Sequence, residues 1–280
     1  MKLECRKIQS NGWVLEVHDV ANATGFAELC CSDLKGANSI FEAIHCSKST
    51  KVFRFEWGDR TYYYKEFFFR NLWKYRKIMR RGMHLKHIAD LMEEAGFETP
   101  RIVCHGRSGL RVFVVSEAAK ADESVYDILM EKSDALVPDL SRFRFLFGKE
   151  IGRLHSAGFV HGDLRWGNVL VRGAGAEQPS FVYIDNDRTQ KYRCVPPRQR
   201  IKNLVQIKYP GSLLDHLESD WDAMWEGYVS GNSEVRSDAE SWRRRVDMKN
   251  ARRVASWWKK PRNRRLLEKR KANMEAPHEA

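Results

Sequence analysis

From Phe41 onward the hydrophobic and polar positions alternate as they do in strands. "FEAIHC" and "KVFRFEW" flank the polar "SKST", and "GD" at 58 to 59 turns the chain into "RTYYYKEFFF". Three short β-type runs joined by polar turns predict a strand meander. Leu85, Ile88, Leu91, Met92 and Ala95 then recur at helical spacing, with Gly96 as the C-terminal cap. Pro100 opens another strand pair, "RIVCHG" and "LRVFVVSEA", with the turn expected at Arg107 to Gly109. Five strands and one helix predict a small β-rich lobe. Residues 1 to 40 show only weak alternation ("WVLEVHDV") before polar, glycine-containing text, and receive no assignment.

After Ala119 the period changes. "SVYDILM" is followed by Phe143, Phe147, Ile151 and Leu154 at intervals of four, four and three, a buried helix that Gly158 terminates. A polar loop, "NVLV", a Gly-rich turn and "FVYID" come next, and beyond Gln190 the text is helical, punctuated by Pro196, Pro197 and Pro210. The second lobe is therefore expected to be mainly helical, with a short hairpin. Residues 1–119, 120–240 and 241–280 are the expected N-terminal lobe, C-terminal lobe and tail, in an α+β chain without internal repeats. Trp221, Trp225 and Tyr228 form a helical stripe read as core. Tyr62, Tyr63, Tyr64, Phe67, Phe68 and Phe69 are read mostly as strand packing rather than sugar stacking.

The net charge of +12 is unevenly placed. Between Ser241 and Lys271 lie fourteen Lys or Arg against two acids, Asp247 and Glu268, so this segment carries the whole excess. A solvated basic helix is one reading. Trp257 and Trp258 beside Lys259 and Lys260 also suit an anionic lipid surface, and basic residues interleaved with aromatics suit nucleic-acid phosphates. Neither a secretory signal nor an apolar run of membrane-spanning length is found, so a cytoplasmic protein is expected. Cys5, Cys30, Cys31, Cys46, Cys104 and Cys194 show no CxxC or His-linked metal spacing; they are read as reduced thiols, and no zinc site is expected.

Chemistry concentrates in "GFVHGDLRWGNVLV", residues 158 to 171. His161, Asp163 and Asn168 precede the first hairpin strand, and Asp185 ends the second, "FVYID". Two acids and an amide at one hairpin end suit a Mg²⁺ that bridges phosphates, with one acid left to accept a proton from an attacking hydroxyl. Taken singly, Asp163 and Asn168 could simply cap turns.

"HGDLRWGN" is similar to the protein-kinase catalytic loop H-R-D-L-x-x-x-N, with the same spacing of five from Asp to Asn. "IDND" stands where the D-F-G aspartate belongs, and Lys65 ends "YYYK" as the nucleotide-binding lysine of V-A-I-K ends its strand. Gly162 replaces the usual Arg and no A-P-E follows Asp185, which points away from ordinary protein kinases. The chain resembles the lipopolysaccharide core kinases (Kdo and heptose kinases) from about Phe41 to Tyr228, through "YYYKEF", "AGFETP", "HGDLRWGN", "IDNDR" and "RIKNLVQIKY".

That resemblance implies a two-lobe protein-kinase-like fold and an ATP-dependent, Mg²⁺-dependent transfer to a heptose or Kdo hydroxyl. It implies Asp163 as the group that orients the acceptor hydroxyl and takes its proton, Asn168 and Asp185 as Mg²⁺ ligands, and Lys65 on the α- and β-phosphates. Arg165 would neutralise the transferring phosphoryl group, or else be a solvated loop arginine. Ser116 and Glu117 fall where a hinge offers backbone groups to adenine, and Asp187 and Arg188 could support the site as a local ion pair. His155 and His161 are read as structural.

Two features depart from the pattern. The phosphate-covering turn "SKST" lacks glycine, so Ser47, Lys48, Ser49 and Thr50 are the candidate phosphate contacts there. The glutamate that usually pairs with the strand lysine falls near Leu85, between His84 and Lys86, leaving Asp90, Glu93 or Glu94 as substitutes, or a different partner for Lys65. The expected partners are a core-glycolipid acceptor and, through the basic tail, the anionic inner-membrane surface, giving a cytoplasmic, membrane-peripheral location; nucleic acid is not expected. The alternatives are an atypical small-molecule or protein kinase, and a pseudokinase or basic nucleic-acid-binding scaffold.

Overall fold

The computed structural model describes residues 5–18, 20, 22–32, 40–47, 49–68, 81–130, 137–213, 218–261 and 263, with the backbone alone at 81, 210–213 and 218–219. The chain divides into two compact units, 1–125 with 167–189, and 126–166 with 190–280.

A seven-stranded sheet organises the first unit. In chain order its strands are β1 (Cys5–Ser10), β2 (Trp13–His18), β3 (Glu42–Cys46), β4 (Thr50–Trp57), β5 (Arg60–Phe67), β6 (Ile102–Ser108) and β7 (Arg111–Glu117), placed β1-β2-β6-β7-β5-β4-β3. Every neighbouring pair is antiparallel. The unassigned N-terminal text thus adds a hairpin and a helix, Ala23–Cys30, to the five expected strands. Its alternation is clean inside the hairpin, with Trp13, Leu15 and Val17 buried, but too short to stand out in the sequence. The β6–β7 turn also differs from expectation: Arg107 and Ser108 are paired with Val112 and Arg111, so only Gly109 and Leu110 make the turn, with Gly109 left-handed at φ +52°.

Side chains alternate across the sheet. On one face Trp13, Leu15, Phe53, Phe55, Tyr62, Tyr64 and Phe113 form an aromatic core with Phe26 of the Ala23–Cys30 helix. On the other, Phe67, Ile102 and Val114 pack with Leu85 and Ala89 of the Arg81–Glu94 helix. Lys65 pairs with Val114, which also pairs with His105, so Lys65 belongs to this second face. Three further strands complete the unit: β8 (Glu123–Ser124), β10 (Val169–Arg172) and β11 (Ser180–Tyr183), in the order β11-β10-β8.

Among its described residues the second unit is mainly helical, with β9 (Phe159–Val160) paired with β12 (Gln190–Lys191). Its centre is the crossing of helices Leu140–Ser156 and Glu218–Gly231, which touch backbone to backbone through Gly148 and Gly152 on one and Gly227 and Gly231 on the other. A Cβ at Gly148 would lie 2.0 Å from the Met224 carbonyl oxygen, and one at Gly227 1.9 Å from that of Phe145. That approach seats Tyr228 against His155. Helix Pro197–Leu213 supplies the buried residues Arg200, Asn203 and Gln206, and helix Ala239–Trp258 packs on it by the Lys208–Asp247 ion pair (2.8 Å) and Arg253 over Tyr209. As far as Trp258, the basic segment is therefore a packed helix of this unit. Among the described residues no helix is long and apolar enough to cross a membrane.

Candidate active site

In the sheet unit, antiparallel pairing of β10 with β11 sets Val169 opposite Tyr183, and the Ile184 N–H donates to the Asn168 carbonyl (3.1 Å). Asn168 and Asp185 therefore flank one end of the hairpin. Asp185 is left-handed (φ +60°) and opens the short turn Asn186–Arg188. The peg of that turn is Asn186, which is buried: its Nδ2 donates to the Tyr183 carbonyl and to Thr99 Oγ1, both at 2.8 Å, while Thr189 Oγ1 donates to its Oδ1 at 3.0 Å. With both ends of its amide engaged, Asn186 holds the Asp185 backbone in a conformation that an aspartate tolerates better than most side chains.

Lys65 points at this turn. Its ammonium binds the Asp185 carboxylate and lies 2.9 Å from Asp187 Oδ1. Burial alone would lower its pKa, but the two carboxylates overcome that and raise it. The Arg81–Glu94 helix joins the turn by another route: His84 Nε2 lies 3.0 Å from the Thr189 carbonyl oxygen, and Asp90 pairs with Lys86. Asp185 and Asp187 thus do for Lys65 what a helix glutamate does elsewhere, and Asp187, expected as a partner of Arg188, is a lysine ligand.

The other predicted contacts have partners of their own. Glu117 pairs with Tyr62, so its side chain belongs to the face opposite Lys65, where Arg60 (2.5 Å) and Arg101 (2.8 Å) hold it and depress its pKa, chiefly through the Arg101 hydrogen bond. The Glu117 N–H is spent on the Arg101 carbonyl (2.9 Å), and Ser116 sits within the ladder opposite Tyr63. The 47–50 turn closes on itself: Ser47 Oγ accepts from the N–H groups of Ser49 (3.3 Å) and Thr50 (3.1 Å). Lys48 and Phe69 lie outside the described residues.

In the helical unit, Asp163 is held by neutral groups as well as by charge. Its Oδ1 accepts from Gln206 Nε2 (3.2 Å) and from Arg165 Nε (2.9 Å), and its N–H donates to His161 Nδ1 (3.2 Å). Gln206 Oε1 accepts from Asn203 Nδ2 (2.9 Å), which also donates to the His161 carbonyl (2.7 Å). With both Asn203 protons engaged, its Oδ1 faces His155 Nε2 at 3.2 Å, and His155 Nδ1 lies 3.0 Å from the Tyr228 hydroxyl.

Only one set of donors satisfies this chain. His155 must carry its proton on Nε2 and accept the Tyr228 O–H at Nδ1, in the neutral form. Burial enforces that form, pushing the His155 pKa down to about 4 against the opposing Asn203 hydrogen bond, and raises the Tyr228 pKa well above its ordinary value. Asn203 and Gln206 were not singled out in the sequence. Their signal was the run Arg200, Asn203, Gln206 at spacings of three inside "RIKNLVQIKY", a polar stripe on a helix face that is buried.

The donors at the hairpin end suit a magnesium nucleotide: an aspartate carboxylate and an amide oxygen are hard ligands, and the Lys65 ammonium already shows that a cation is stable between Asp185 and Asp187. Comparison with known proteins agrees. Residues 44–228 match the model of the lipopolysaccharide kinase (Kdo/WaaP) family. The solved structure of WaaP in complex with acyl carrier protein superposes with a TM-score of 0.58 at 19% identity, covering 75% of this chain and 88% of that one. WbdD, crystallised with a kinase inhibitor, matches 57% of this chain and 35% of its own at 22% identity and a TM-score of 0.39, too low to add weight. No curated protein sequence matches the chain. With the family pattern spanning both units and the WaaP fold beneath it, the chain belongs to the lipopolysaccharide kinase (Kdo/WaaP) family.

Proposed function

We propose that this family member transfers the γ-phosphoryl group of ATP to a hydroxyl of a heptose or Kdo in the lipopolysaccharide inner core. The observation that carries the reading is the Asp163 carboxylate in "HGDLRWGN", oriented through Oδ1 by Gln206 and Arg165. A carboxylate so held can accept the proton of a sugar hydroxyl as its oxygen bonds to the γ-phosphorus and the bond to the β,γ-bridging oxygen breaks, leaving ADP and a phosphate ester.

Asn168 and Asp185 would hold Mg²⁺, which when bound neutralises charge on the phosphates. Lys65, released in part from Asp185, would pair with the α- and β-phosphates while Asp187 keeps it oriented. Arg165, 64% exposed and tethered to Asp163, would screen the transferred group. Gln206 and Asn203 are positioning residues, fixing the carboxylate without adding a charge that would compete for the hydroxyl. Glu117 would act only through its backbone, and Ser47, Ser49 and Thr50 through the shape of their turn.

Membrane-peripheral placement is part of the same proposal. The acceptor is lipid-anchored and anionic, and the packed Ala239–Trp258 helix ends in exposed Trp258, beside Trp257, Lys259 and Lys260. The deciding assay is transfer of labelled phosphate from ATP, with Mg²⁺, to lipid A bearing inner-core sugars, for wild type, Asp163→Ala and Asp185→Ala. Transfer by wild type and loss in both variants is the expected result. A folded wild type that binds Mg-ATP but phosphorylates no core glycolipid would rule out the acceptor, and one that binds no nucleotide would rule out the kinase activity.

A further inference from the structure

Three strands bring four metal-ligating side chains to one patch. Cys5 of β1 stands opposite His18 of β2, and Glu16, on the same face two residues earlier, stands opposite His105 of β6. The Cys5 sulfur, a Glu16 carboxylate oxygen and a His18 ring nitrogen all lie within 4.8 Å of one another. His105 Nε2 is 3.5 Å from Glu16 Oε2, and the His18 and His105 ring centroids are 5.6 Å apart.

These approaches are too long for hydrogen bonds; Cys5 is exposed and Glu16 partly so, while the histidine nitrogens lie deeper. His18 Nε2 is buried and has no hydrogen-bond partner among the described residues, and His105 is only 9% exposed. Among the described residues Glu16 has the loose His105 contact and Lys7 at 3.7 Å as its charged partners. Buried polar atoms are nearly always satisfied, so the unpartnered His18 nitrogen, within 4.8 Å of the Cys5 sulfur and a Glu16 oxygen, indicates a ligand shared by these three. Gly82 of the Arg81–Glu94 helix lets the backbone close over the patch: a Cβ there would come within 2.8 Å of His105 Cβ.

We propose that Cys5, Glu16 and His18 form a binding site for a divalent transition metal, with zinc the ion best matched to one sulfur, one imidazole nitrogen and one carboxylate oxygen. Three such donors and a water complete a tetrahedral shell, and His105, 3.5 Å from the Glu16 carboxylate, would orient that ligand from behind. On binding, the Cys5 S–H bond breaks, a metal–sulfur bond forms and the proton leaves to solvent.

Glu16 is three strand spacings from Lys65, across Val114 and His105, so the site lies about 14 Å or more from Lys65 along the same face. The metal would pin β1 to β2 without sharing a ligand with the phosphoryl-transfer residues. Sequence spacing conceals the cluster because its members are 5, 16, 18 and 105.

The test is titration of the metal-stripped full-length chain with Co²⁺ and then Zn²⁺. Expected are the intense visible bands of tetrahedral cobalt, a thiolate-to-cobalt band in the near ultraviolet, release of about one proton per metal, and displacement of cobalt by zinc. Cys5→Ser should abolish the thiolate band, and His18→Ala or His105→Ala should weaken binding by about tenfold or more. Cys46→Ser, at another exposed cysteine, should change nothing. A folded wild type without these bands would overturn the site, as would a thiolate band that survives Cys5→Ser. Because the wild-type spectrum is decisive by itself, a variant that misfolds does not shelter the proposal.

Discussion

The two sets of acidic residues in this chain are held in opposite ways. Asp185 and Asp187, in the sheet unit, are held by charge, with the Lys65 ammonium between them. Asp163, in the helical unit, is oriented by an exposed Arg165 and by a buried line of neutral groups running Gln206, Asn203, His155 and Tyr228. An ion pair is exchangeable: phosphate and metal can replace its members one for one, since its strength depends on charge rather than on a single geometry. A chain of amides and a neutral imidazole is not, because each donor is committed to one acceptor and reversing one member leaves a buried group unsatisfied. The contrast matches what the proposed reaction asks of each set, substitution of ligands at one and unchanging orientation at the other.

The sharpest way to separate them is to measure nucleotide affinity and turnover together. Asp163→Asn should lower kcat by about 10²–10⁴-fold and leave ATP affinity unchanged, because it removes a proton acceptor. Lys65→Met should weaken ATP binding as well. Equal losses of affinity in the two variants would erase the distinction.

A smaller effect tests the neutral line. Gln206→Met keeps the length and removes the donor, and should reduce kcat by roughly 10–100-fold at constant KM for ATP, the cost of a hydrogen bond to a charged group. Gln206→Glu should be worse, since it sets a second carboxylate against Asp163. A Met variant with full turnover would show that Gln206 merely packs. In the wild type, nitrogen NMR should place the His155 proton on Nε2; the other tautomer contradicts the donor order.

His155 also makes stability depend on pH. Its pKa is about 4 when folded against 6.5 as the reference value, so the unfolded chain takes up the proton first. The contribution is complete above pH 6.5 and is lost as pH falls from there toward 4, on the order of 3 kcal/mol in all. Denaturant unfolding of wild type and His155→Gln across that window should show a steeper loss in wild type; parallel curves would mean that His155 is not held neutral. The smallest expected change lies outside both sets: Trp257→Ala with Trp258→Ala should weaken binding to anionic vesicles by a few-fold without altering the Asp163 or Lys65 phenotypes. Unchanged vesicle binding would remove the membrane part of the proposal.

Much of this was already legible in the sequence. Alternation in "KVFRFEW" and "RTYYYKEF" and four-residue spacing from Phe143 to Leu154 suffice for strands and a helix, because burial of one face depends on local period. "HGDLRWGN" and "IDND" are local too, since catalytic groups on one loop must keep their spacing. What only the tertiary structure decided are relations between distant residues. It paired Lys65 with Asp185 and Asp187 in place of a helix glutamate, and buried Asn203 and Gln206 behind Asp163. It grouped 167–189 with the sheet, and set Cys5, Glu16, His18 and His105 side by side through strand register. Periodicity reports which face of an element is buried; it carries no record of which element, tens of residues away, that face meets.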